Sequence, residues 1–375
     1  MKIAEVKITV LKVPLSEPIK ASFGQMTHRM SALVHLTTDS GITGVGETWI
    51  NFPPWNYKER AATVTEGLRP LLLGEDPLRI SYLWNKMYRG LLGPFRQYGC
   101  ESALLQAISG ADLALWDIAG KILETPVYQL LGGKFNEKIE AYASGLGPKL
   151  FPDIIESCLH KGYRAFKLKV GFGKELDESN LKTLRELIGD DSTLMIDANQ
   201  AWDVQEALDR ISAYEKYDLL FVEEPLPARD LAGYRELVGK SPVPIAGGEN
   251  IYGKENFKQA LEHNCLDIVQ PDITKTGGLS EARDICSLAA SWRLPYALHM
   301  FGNAVGLAAT LHLATALPGG LFQETDANPN PLREELLSEP LQFADGCFHL
   351  SEKPGLGVEL NEDVIKEYEV PSSSL

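Results

Sequence analysis

Apolar runs of strand length recur through the second half of the chain, and each ends in or beside a charged or titratable residue. The runs are FKLKVG, LMIDAN, LFVEEP, IAGGEN, IVQPD, YALHMF and LFQETD. From Lys169 to Glu324 the successive end residues lie 23 to 28 positions apart, and stretches rich in Leu, Glu, Lys and Arg separate them. A strand, a crossover helix and two loops need about this length, so the pattern predicts a parallel α/β barrel.

The first part of the chain has a different pattern. Residues 3–13 and 31–38 alternate between apolar and polar positions, which predicts two β-strands. We expect the polar segment between them to be a functional loop, because it is too long for a hairpin turn. A second loop, INFPPWNYKER, precedes a helical pattern that extends from about residue 58 to residue 131.

These patterns divide the chain into three predicted parts. Residues 1–130 form an N-terminal α+β capping domain with loops that select the substrate. Residues 131–340 form the catalytic barrel, whose first strand we expect in IEAYAS (139–144). Residues 341–375 form an extended tail that returns to the cap. A chain of 375 residues is long enough for one barrel and one smaller domain.

Composition narrows the class of protein. The net charge of −15 argues against nucleic-acid and anionic-membrane partners, which attract basic patches. We expect no secretory signal and no membrane span, because neither kind of continuous apolar segment is present. The five cysteines are scattered without a CxxC pair, which predicts reduced thiols and a cytoplasmic location.

Three acids, Asp197, Glu223 and Glu249, follow three successive apolar runs and should lie at the carboxyl ends of their strands. Three carboxylates in one cup repel one another unless a cation holds them. Oxygen-only ligation favours Mg²⁺, with Mn²⁺ as a substitute. The alternative is that each acid pairs with a nearby Lys or Arg as a structural charge. In the doublet of Glu223 and Glu224 the two side chains face opposite ways, and the spacing favours Glu223 as the ligand.

Basic groups flank these acids. Lys167 and Lys169 are two residues apart and so share one face of a strand. Two adjacent ammonium groups lower each other's pKa, which makes one of them a usable base, although lysines at strand ends also often solvate a rim. His299 follows a later strand, and Asp272 at the end of the preceding strand could hold its second ring nitrogen.

This set of residues suits the removal of a proton next to a carboxylate. Such a carbon acid is much weaker than any protein base, so the developing enediolate needs strong stabilisation. A divalent cation on the substrate carboxylate would supply it, with Lys167 and Glu324 as further partners of the same oxygens. Glu324 would have to be protonated to donate, and neighbouring acids would raise its pKa.

Taken together, these motifs resemble the enolase superfamily, and within it the mandelate racemase subgroup of the mandelate racemase/muconate lactonizing enzyme family. The resemblance rests on KLK, on the acids at 26-residue spacing, on PDITKTGG, on the His after LPYAL and on the Glu of LFQE. GITGVGE, ADLALWDIAGK, LLGGK and the tail motif PGLGVEL also match, so the resemblance covers essentially the whole chain.

The resemblance implies an α/β fold, a modified (β/α)7β TIM-like barrel with an N-terminal α+β capping domain. It implies Mg²⁺ held by Asp197, Glu223 and Glu249, with Lys169 as one base and His299–Asp272 as the opposite base or acid. The muconate-lactonizing subgroup has a lysine where this chain has Asp272. Lys275 lies three residues further along, where a strand-end residue would not project in the same way. We therefore place the chain with the racemase-like subgroup.

The substrate is predicted to be a small carboxylate, most simply a sugar acid. Polar residues of the segment between the first two strands include Ser22, Gln25, Thr27, His28 and Arg29. The second loop adds Trp55 and Tyr57, and Arg96 is a candidate for a distal carboxylate or a surface ion pair. Near TDANPNPLREELLSEP the chain resembles sugar-acid members, including galactarolactone cycloisomerase-like ones.

The expected reaction is dehydration of an acid sugar to a 2-keto-3-deoxy acid. Racemisation or epimerisation and lactone cycloisomerisation use the same residues and remain alternatives, with a non-catalytic barrel as a distant one. Family resemblance also implies a homo-oligomer.

Overall fold

The computed structural model describes residues 1–374, and its N-terminal part begins with a three-stranded antiparallel sheet. The strands are β1 (Ile3–Ala21), β2 (Gly24–Thr38) and β3 (Thr43–Thr48), in that spatial order. Glycine allows β3 to lie directly on a long helix, because a Cβ at Gly44 or Gly46 would collide with the helix backbone at Ala114 or Gly110.

The prediction of a loop between the first two strands is wrong. Strands β1 and β2 continue past residue 13 as one long hairpin, which pairs Val13 with Arg29 and Ala21 with Gly24. A register shift between Pro14 and Ile19 interrupts the ladder. Because β1 is an edge strand, its prolines are tolerated there. Most of the distal hairpin is exposed on both faces, which removes the alternation that marks a strand in the sequence.

The predicted helical region is confirmed. Its helices are α1 (Asn56–Ala62), α2 (Arg69–Leu72), α3 (Ile80–Tyr98), α4 (Glu101–Ile122) and α5 (Val127–Leu130), with a π-helical segment at Thr63–Leu68. Helix α4 is buried continuously from Ala103 to Gly120, because it lies between the sheet and the barrel. None of the helices in residues 1–374 combines the length and apolarity that a membrane span requires.

The second part of the chain is a barrel-like parallel sheet, as predicted. Its strands are β4 (Ile139–Leu146), β5 (Ala165–Lys169), β6 (Thr193–Asp197), β7 (Leu219–Glu223), β8 (Ile245–Gly247), β9 (Ile268–Val269) and β10 (Gln323–Asp326). They pair in sequence from β4 to β9, and β10 pairs with β4. Single parallel bridges from Val269 to Tyr296 and from Tyr296 to Gly320 occupy the position between β9 and β10.

Helices cover the outside of this sheet. They are α6 (Pro152–His160), α7 (Lys174–Ile188), α8 (Val204–Tyr214), α9 (Leu231–Val238), α10 (Lys254–Glu262), α11 (Gly278–Ser291) and α12 (Ala304–Ala316), with a 3₁₀ turn at Glu215–Tyr217 and a short α13 (Pro331–Glu334) after β10. The inward-facing residues at the amino-terminal level form a separate apolar cluster: Tyr142, Ala165, Met195, Phe221, Ala246, Ile268 and Ala297. This cluster closes the floor below the charged strand ends.

The tail makes two different contacts. Strands β11 (Gln342–Ala344) and β12 (Cys347–His349) form a hairpin that pairs with barrel strand β4, and only the later residues return to the cap. There Leu356 N–H donates to Asp117, and Val370 N–H donates to the Val10 carbonyl after helix α14 (Glu362–Tyr368). A 3₁₀ turn at Ser372–Ser374 follows. The boundaries at residues 130 and 340 remain predictions.

Buried carboxylates join the cap to the barrel. Glu47, at the end of β3, accepts hydrogen bonds from the backbone N–H groups of Asn303 and Gly306 at the start of α12. Asp112 of α4 accepts from the backbone and hydroxyl of Ser280 at the start of α11. The positive end of each helix dipole favours an anion there, so these contacts hold the cap over the carboxyl ends of the strands.

Candidate active site

Strand register brings the titratable residues to one level of the barrel interior. Lys169 pairs with Asp197 across β5 and β6, and Asp197 pairs with Glu223 across β6 and β7. Because side chains alternate along a strand, Met195 and Phe221, two positions before Asp197 and Glu223, belong to the apolar floor, and on β5 Ala165 does so below Lys167. The charged side chains therefore converge in the layer above that floor.

Lys167 lies deepest in this layer and is 1% exposed. Its Nζ is 2.6 Å from Glu223 Oε2, 2.8 Å from Glu324 Oε1 and 3.1 Å from the hydroxyl of Tyr142. Burial alone would lower the pKa of Lys167, but the charges of Glu223 and Glu324 outweigh it and raise the pKa well above its ordinary value. Lys167 is therefore a fixed positive charge.

Lys169 shares the inward face with Lys167, as the spacing predicted, and its Nζ is 2.6 Å from Asp197 Oδ2 and 2.8 Å from Asn199 Oδ1. The expectation that the neighbouring lysine leaves Lys169 with a lowered pKa is wrong, because the net shift is upward. Burial and Lys167 both lower the pKa of Lys169, but the adjacent Asp197 carboxylate outweighs them and raises it. A group at hydrogen-bond distance acts more strongly than a second lysine further away.

His299 and Asp272 lie together. Nδ1 of His299 is 2.7 Å from Asp272 Oδ2, while Nε2 is 3.1 Å from Glu249 Oε2 and faces the cavity. Burial lowers the pKa of His299, but the charges of Glu249 and Glu324 and the hydrogen bond to Asp272 raise it to about 9. The other oxygen of Asp272 accepts from the backbone and hydroxyl of Thr274, so the carboxylate is held on both sides.

The expectation of a protonated Glu324 is wrong. Its carboxylate accepts hydrogen bonds from Lys167 Nζ, from the hydroxyl of Ser144 at 2.6 Å and from the backbone N–H of Met300 at 3.0 Å. Burial raises the pKa of Glu324, but Lys167 and His299 lower it below its ordinary range. Glu324 is thus an ionised acceptor that positions Lys167.

Two carboxylates and a histidine of this layer form a group that could hold a metal ion. One ligand atom each from Glu223, Glu249 and His299 lies within 4.8 Å of the others. Asp197 is not in this group; its two oxygens accept hydrogen bonds from Lys169 Nζ and from the backbone N–H of Asn199. The pKa of Glu223 is raised to about 7 by burial against the opposing effect of Lys167. Glu249 has its pKa lowered to about 2, because His299 and Lys275 outweigh burial.

The charge balance of this layer fits a divalent cation. The acids are Asp197, Glu223, Glu249, Asp272 and Glu324, and the bases are Lys167, Lys169, Lys275 and His299. Five carboxylates thus face three ammonium groups and one imidazole, which leaves one excess negative charge even with the imidazole protonated. Buried carboxylates without compensation are costly, and carboxylate oxygens are the donors that a hard cation prefers.

Glu224 faces away from the interior, as expected for the neighbour of Glu223. Both of its oxygens accept from the side-chain amide of Asn250, and its backbone φ is 38°. Burial and the charge of Glu249 raise the pKa of Glu224 well above its ordinary value. Glu224 therefore supports the loop after β8.

A cavity of about 240 Å³ lies between these groups and the cap. Lys169, Glu249, Lys275 and His299 line its barrel side, together with Asn199 and Asn250. The cap contributes Ile19, Lys20, Ala21, Phe23, Met26, Trp49, Phe52 and Gln106. The cap side is therefore mainly apolar, which differs from the polar surface expected from residues 16–30.

The five residues predicted from the cap to bind substrate do not line this cavity. Arg29 is buried in an ion pair with Asp326, and its neighbour His28 contacts the Thr27 hydroxyl. Trp55 is 66% exposed, and Tyr57 packs against the hydrophobic core. Arg96 pairs with Glu101 at 3.3 Å outside the cavity. Because alternate residues of the hairpin face opposite ways, a polar composition alone did not show which side chains face the barrel.

The expectation that Lys275 would not project into the interior is wrong, because the structure places it in the cavity wall. Its Nζ is 3.0 Å from Glu249 Oε2 and lies 4.6 Å from the centroid of the Trp49 ring, so both Lys275 and Trp49 belong to the cavity wall. The chain turns immediately after Asp272, where Lys275 N–H donates to the Asp272 carbonyl, and this turn returns Lys275 to the interior. The Asp-Ile-Thr sequence was the available signal, because Asp commonly binds the backbone two residues on.

A barrel-like α/β fold with convergent ionisable groups at the carboxyl ends of its strands defines the class of α/β-barrel enzymes. The family model described as "Mandelate racemase / muconate lactonizing enzyme, N-terminal domain" matches residues 3–132, and "Enolase C-terminal domain-like" matches residues 153–364. The chain belongs to the mandelate racemase/muconate lactonizing enzyme family of the enolase superfamily, which confirms the resemblance found in the sequence.

Individual relatives have several activities. D-galactarolactone cycloisomerase of Agrobacterium fabrum is 33% identical over 99% of this chain and 100% of its own. Arabinonate dehydratase of Saccharolobus solfataricus is 34% identical over 93% of each chain. The crystal structure of a racemase from Streptomyces coelicolor with bound magnesium has a TM-score of 0.88 at 28% identity, and the match covers 98% of this chain and 100% of that one.

Proposed function

We propose that this protein is an Mg²⁺-dependent dehydratase that removes the proton α to the carboxylate of an acid sugar and forms a 2-keto-3-deoxy acid. The observation that carries the proposal is that Lys169 and His299 border the same small cavity, which also contains the carboxylate of Glu249 and is covered by cap residues. Two proton-transfer groups around one cavity suit the formation and breakdown of an enediolate.

Asp197, Glu223 and Glu249 would hold the ion, and Mn²⁺ would substitute for Mg²⁺. The excess of buried carboxylates supports this assignment, as does the bound magnesium of the related Streptomyces structure. When bound, the cation supplies Lewis-acid stabilisation of negative charge on the substrate carboxylate. Lys167 adds a second fixed positive charge, which Glu324 and Tyr142 hold in place.

The residues of the chain account for the proton transfers. In its unprotonated form, Lys169 Nζ or His299 Nε2, according to the face that carries it, accepts the α-proton, and the C–H electron pair passes into the enediolate. The opposite group donates a proton to the β-hydroxyl as its C–O bond breaks, so water leaves. The resulting enol then tautomerises to the 2-keto acid. Each group acts once as acceptor or donor, and the atoms of substrate equal those of product plus water.

Lactone cycloisomerisation is a second candidate. The apolar cap side, with Phe23 and Phe52, suits the C–H face of a ring better than a fully hydroxylated chain. The Agrobacterium cycloisomerase is related over the whole chain, whereas the arabinonate dehydratase supports dehydration. Racemisation or epimerisation would use the same two groups without loss of a substituent.

A screen of purified protein with Mg²⁺ against acid sugars and their lactones tests these candidates. Formation of a 2-keto acid supports dehydration. Ring-opened or ring-closed isomers without a keto acid, or an inverted α-carbon with solvent deuterium, would replace dehydration by the corresponding alternative. Absence of α-proton exchange for every acid would contradict the proposal as a whole.

We also infer a homo-oligomer in the cytoplasm that acts on small molecules and not on nucleic acid. Light scattering of the purified protein and fractionation of its source cells test the assembly and the location.

A further inference from the structure

The tip of the β1–β2 hairpin contacts the barrel next to the candidate site. The Ser22 hydroxyl donates to the backbone carbonyl of Asn199 at 2.7 Å, across 177 positions in the sequence. The approach is close on the neighbouring loop as well, because a Cβ at Gly171 would come within 3.4 Å of the Ser22 Cβ. One hydrogen bond therefore joins the tip to the loop after β6, and the tip also lies close to the loop after β5.

Asn199 makes hydrogen bonds to three different residues. Its carbonyl accepts from Ser22, its side-chain oxygen accepts from Lys169 Nζ at 2.8 Å, and its N–H donates to Asp197 Oδ1 at 2.8 Å. The backbone of Asn199 has φ of 43°, and that of Gln200 has φ of 66°. Left-handed conformations at two successive non-glycine residues persist only when surrounding contacts hold them.

The tip also makes an aromatic contact with the cap. Phe23 packs edge-to-face on Phe52 with 5.1 Å between ring centroids, and both rings line the cavity. Phe23 is still 58% exposed, so the tip forms a thin roof over the cavity and is not part of the core. Such a segment is expected to open at low free-energy cost.

We propose that Ser22 is a positioning residue that couples docking of the hairpin tip over the cavity to the placement of Asn199 and Lys169. With the tip docked, the Asn199 peptide is held from above, and its amide oxygen fixes Lys169 Nζ beside Asp197. With the tip open, Asn199 loses this support, and the ammonium group of Lys169 no longer has the Asn199 amide oxygen as a fixed hydrogen-bond partner. The catalytic part of this inference rests on the proposed function, because it takes Lys169 as a base.

The test compares Ser22→Ala with Thr27→Ala. Thr27 is an exposed hydroxyl on the same hairpin, and its partner is the adjacent His28, so it is a matched control. Amide hydrogen exchange is measured by mass spectrometry on two segments of the Mg²⁺-containing protein without substrate, residues 19–26 and residues 197–201. Turnover and α-proton exchange are measured with an acid found in the screen.

Loss of one hydrogen bond should speed amide exchange about fivefold in both segments of Ser22→Ala and in neither segment of Thr27→Ala. The kcat should fall by about fivefold to tenfold with a smaller change in KM, because the placement of the base is affected more than the cavity. Unchanged exchange at residues 197–201, or unchanged kcat despite faster exchange there, would overturn the inference.

Failure of the proposed function would have a different signature. Wild-type protein would then exchange the α-proton of none of the acids. The hydrogen-exchange comparison would still decide whether Ser22 holds Asn199, since it needs no substrate.

Discussion

His299 Nδ1 and Asp272 Oδ2 are 2.7 Å apart, although Asp272 follows β9 and His299 follows the bridge at Tyr296, 27 positions further along the sequence. The opposite oxygen of Asp272 accepts two hydrogen bonds from Thr274. Asp272 therefore fixes a proton on Nδ1, so Nε2 is the ring nitrogen that exchanges a proton on the cavity side.

Asp272→Asn should reverse this tautomer. Because the Thr274 donors keep the amide oxygen, the amide N–H₂ would face His299 Nδ1 and place the ring proton on Nε2. Proton abstraction by His299 should fall by about 10²-fold to 10⁴-fold, the usual contribution of a general base. Deuterium incorporation on the His299 face of the substrate measures it. Equal loss on the Lys169 face would mean that Asp272 acts on the fold and not on the tautomer.

Lys169→Ala and His299→Asn should each abolish α-proton exchange on one face, by about 10²-fold or more, while exchange on the other face continues. Proton NMR of substrate in D₂O separates the two faces when both epimers are supplied. Lys182→Ala, on an exposed turn of α7, is the control. Wild-type exchange on both faces in both variants would refute the two-base assignment.

Chelation should abolish activity, and added Mg²⁺ should restore it. Glu249→Gln should weaken Mg²⁺ and Mn²⁺ binding by about 100-fold or more, because even residues that only orient a ligand cost about 10-fold to 100-fold. Calorimetric titration of the purified variants measures this without substrate. Glu255→Gln, at an exposed position of α10, should bind as wild type does. Full turnover by metal-free protein would contradict the cation assignment.

Glu47→Ala should destabilise the protein by about 2–5 kcal/mol. It removes a buried carboxylate and leaves the N–H groups of Asn303 and Gly306 without their acceptor at the start of α12. Urea unfolding measures the change. Glu5→Ala, at an exposed position of β1, should change stability by less than about 0.5 kcal/mol. A similar small effect of Glu47→Ala would show that this contact does not hold the cap to the barrel.

Acid should destabilise the protein partly through His312. Burial lowers the pKa of His312 from 6.5 to about 4, and its Nδ1 accepts from the backbone N–H of Tyr128. Between these two pH values the unfolded chain binds a proton that the folded chain excludes, so stability falls as pH falls through this window. His312 should account for about 3 kcal/mol of that loss.

His312→Asn keeps a side-chain acceptor and removes the titration. The difference in unfolding free energy between pH 7 and pH 4 should therefore be smaller in this variant by on the order of 3 kcal/mol. The exposed His263→Asn is the control. Parallel pH profiles for His312→Asn and wild type would show that His312 titrates normally in the folded state.

Sequence reasoning succeeded wherever a residue's position along a strand determined its place. Lys167, Lys169, Asp197, Glu223, His299 and Glu324 end or adjoin apolar runs, and the structure brings all of them to one interior layer. It failed where apolar and polar residues do not alternate regularly along the chain. The distal hairpin has exposed residues on both faces, so its polar composition was interpreted as a loop, and the inward residues Ile19, Ala21 and Phe23 were not distinguished from Thr27 and His28.

The sequence by itself determined the parallel barrel, the capped architecture and the set of ionisable groups at the strand ends, because periodicity and spacing are local properties of a chain. Only the tertiary structure decided how those groups pair. It placed Asp197 beside Lys169 and the ionised carboxylate of Glu324 beside Lys167. It also returned Lys275 to the cavity through the turn after Asp272. Charge interactions depend on distances of a few ångströms between residues far apart in the chain, and those distances are set only when the strands and the cap are packed together.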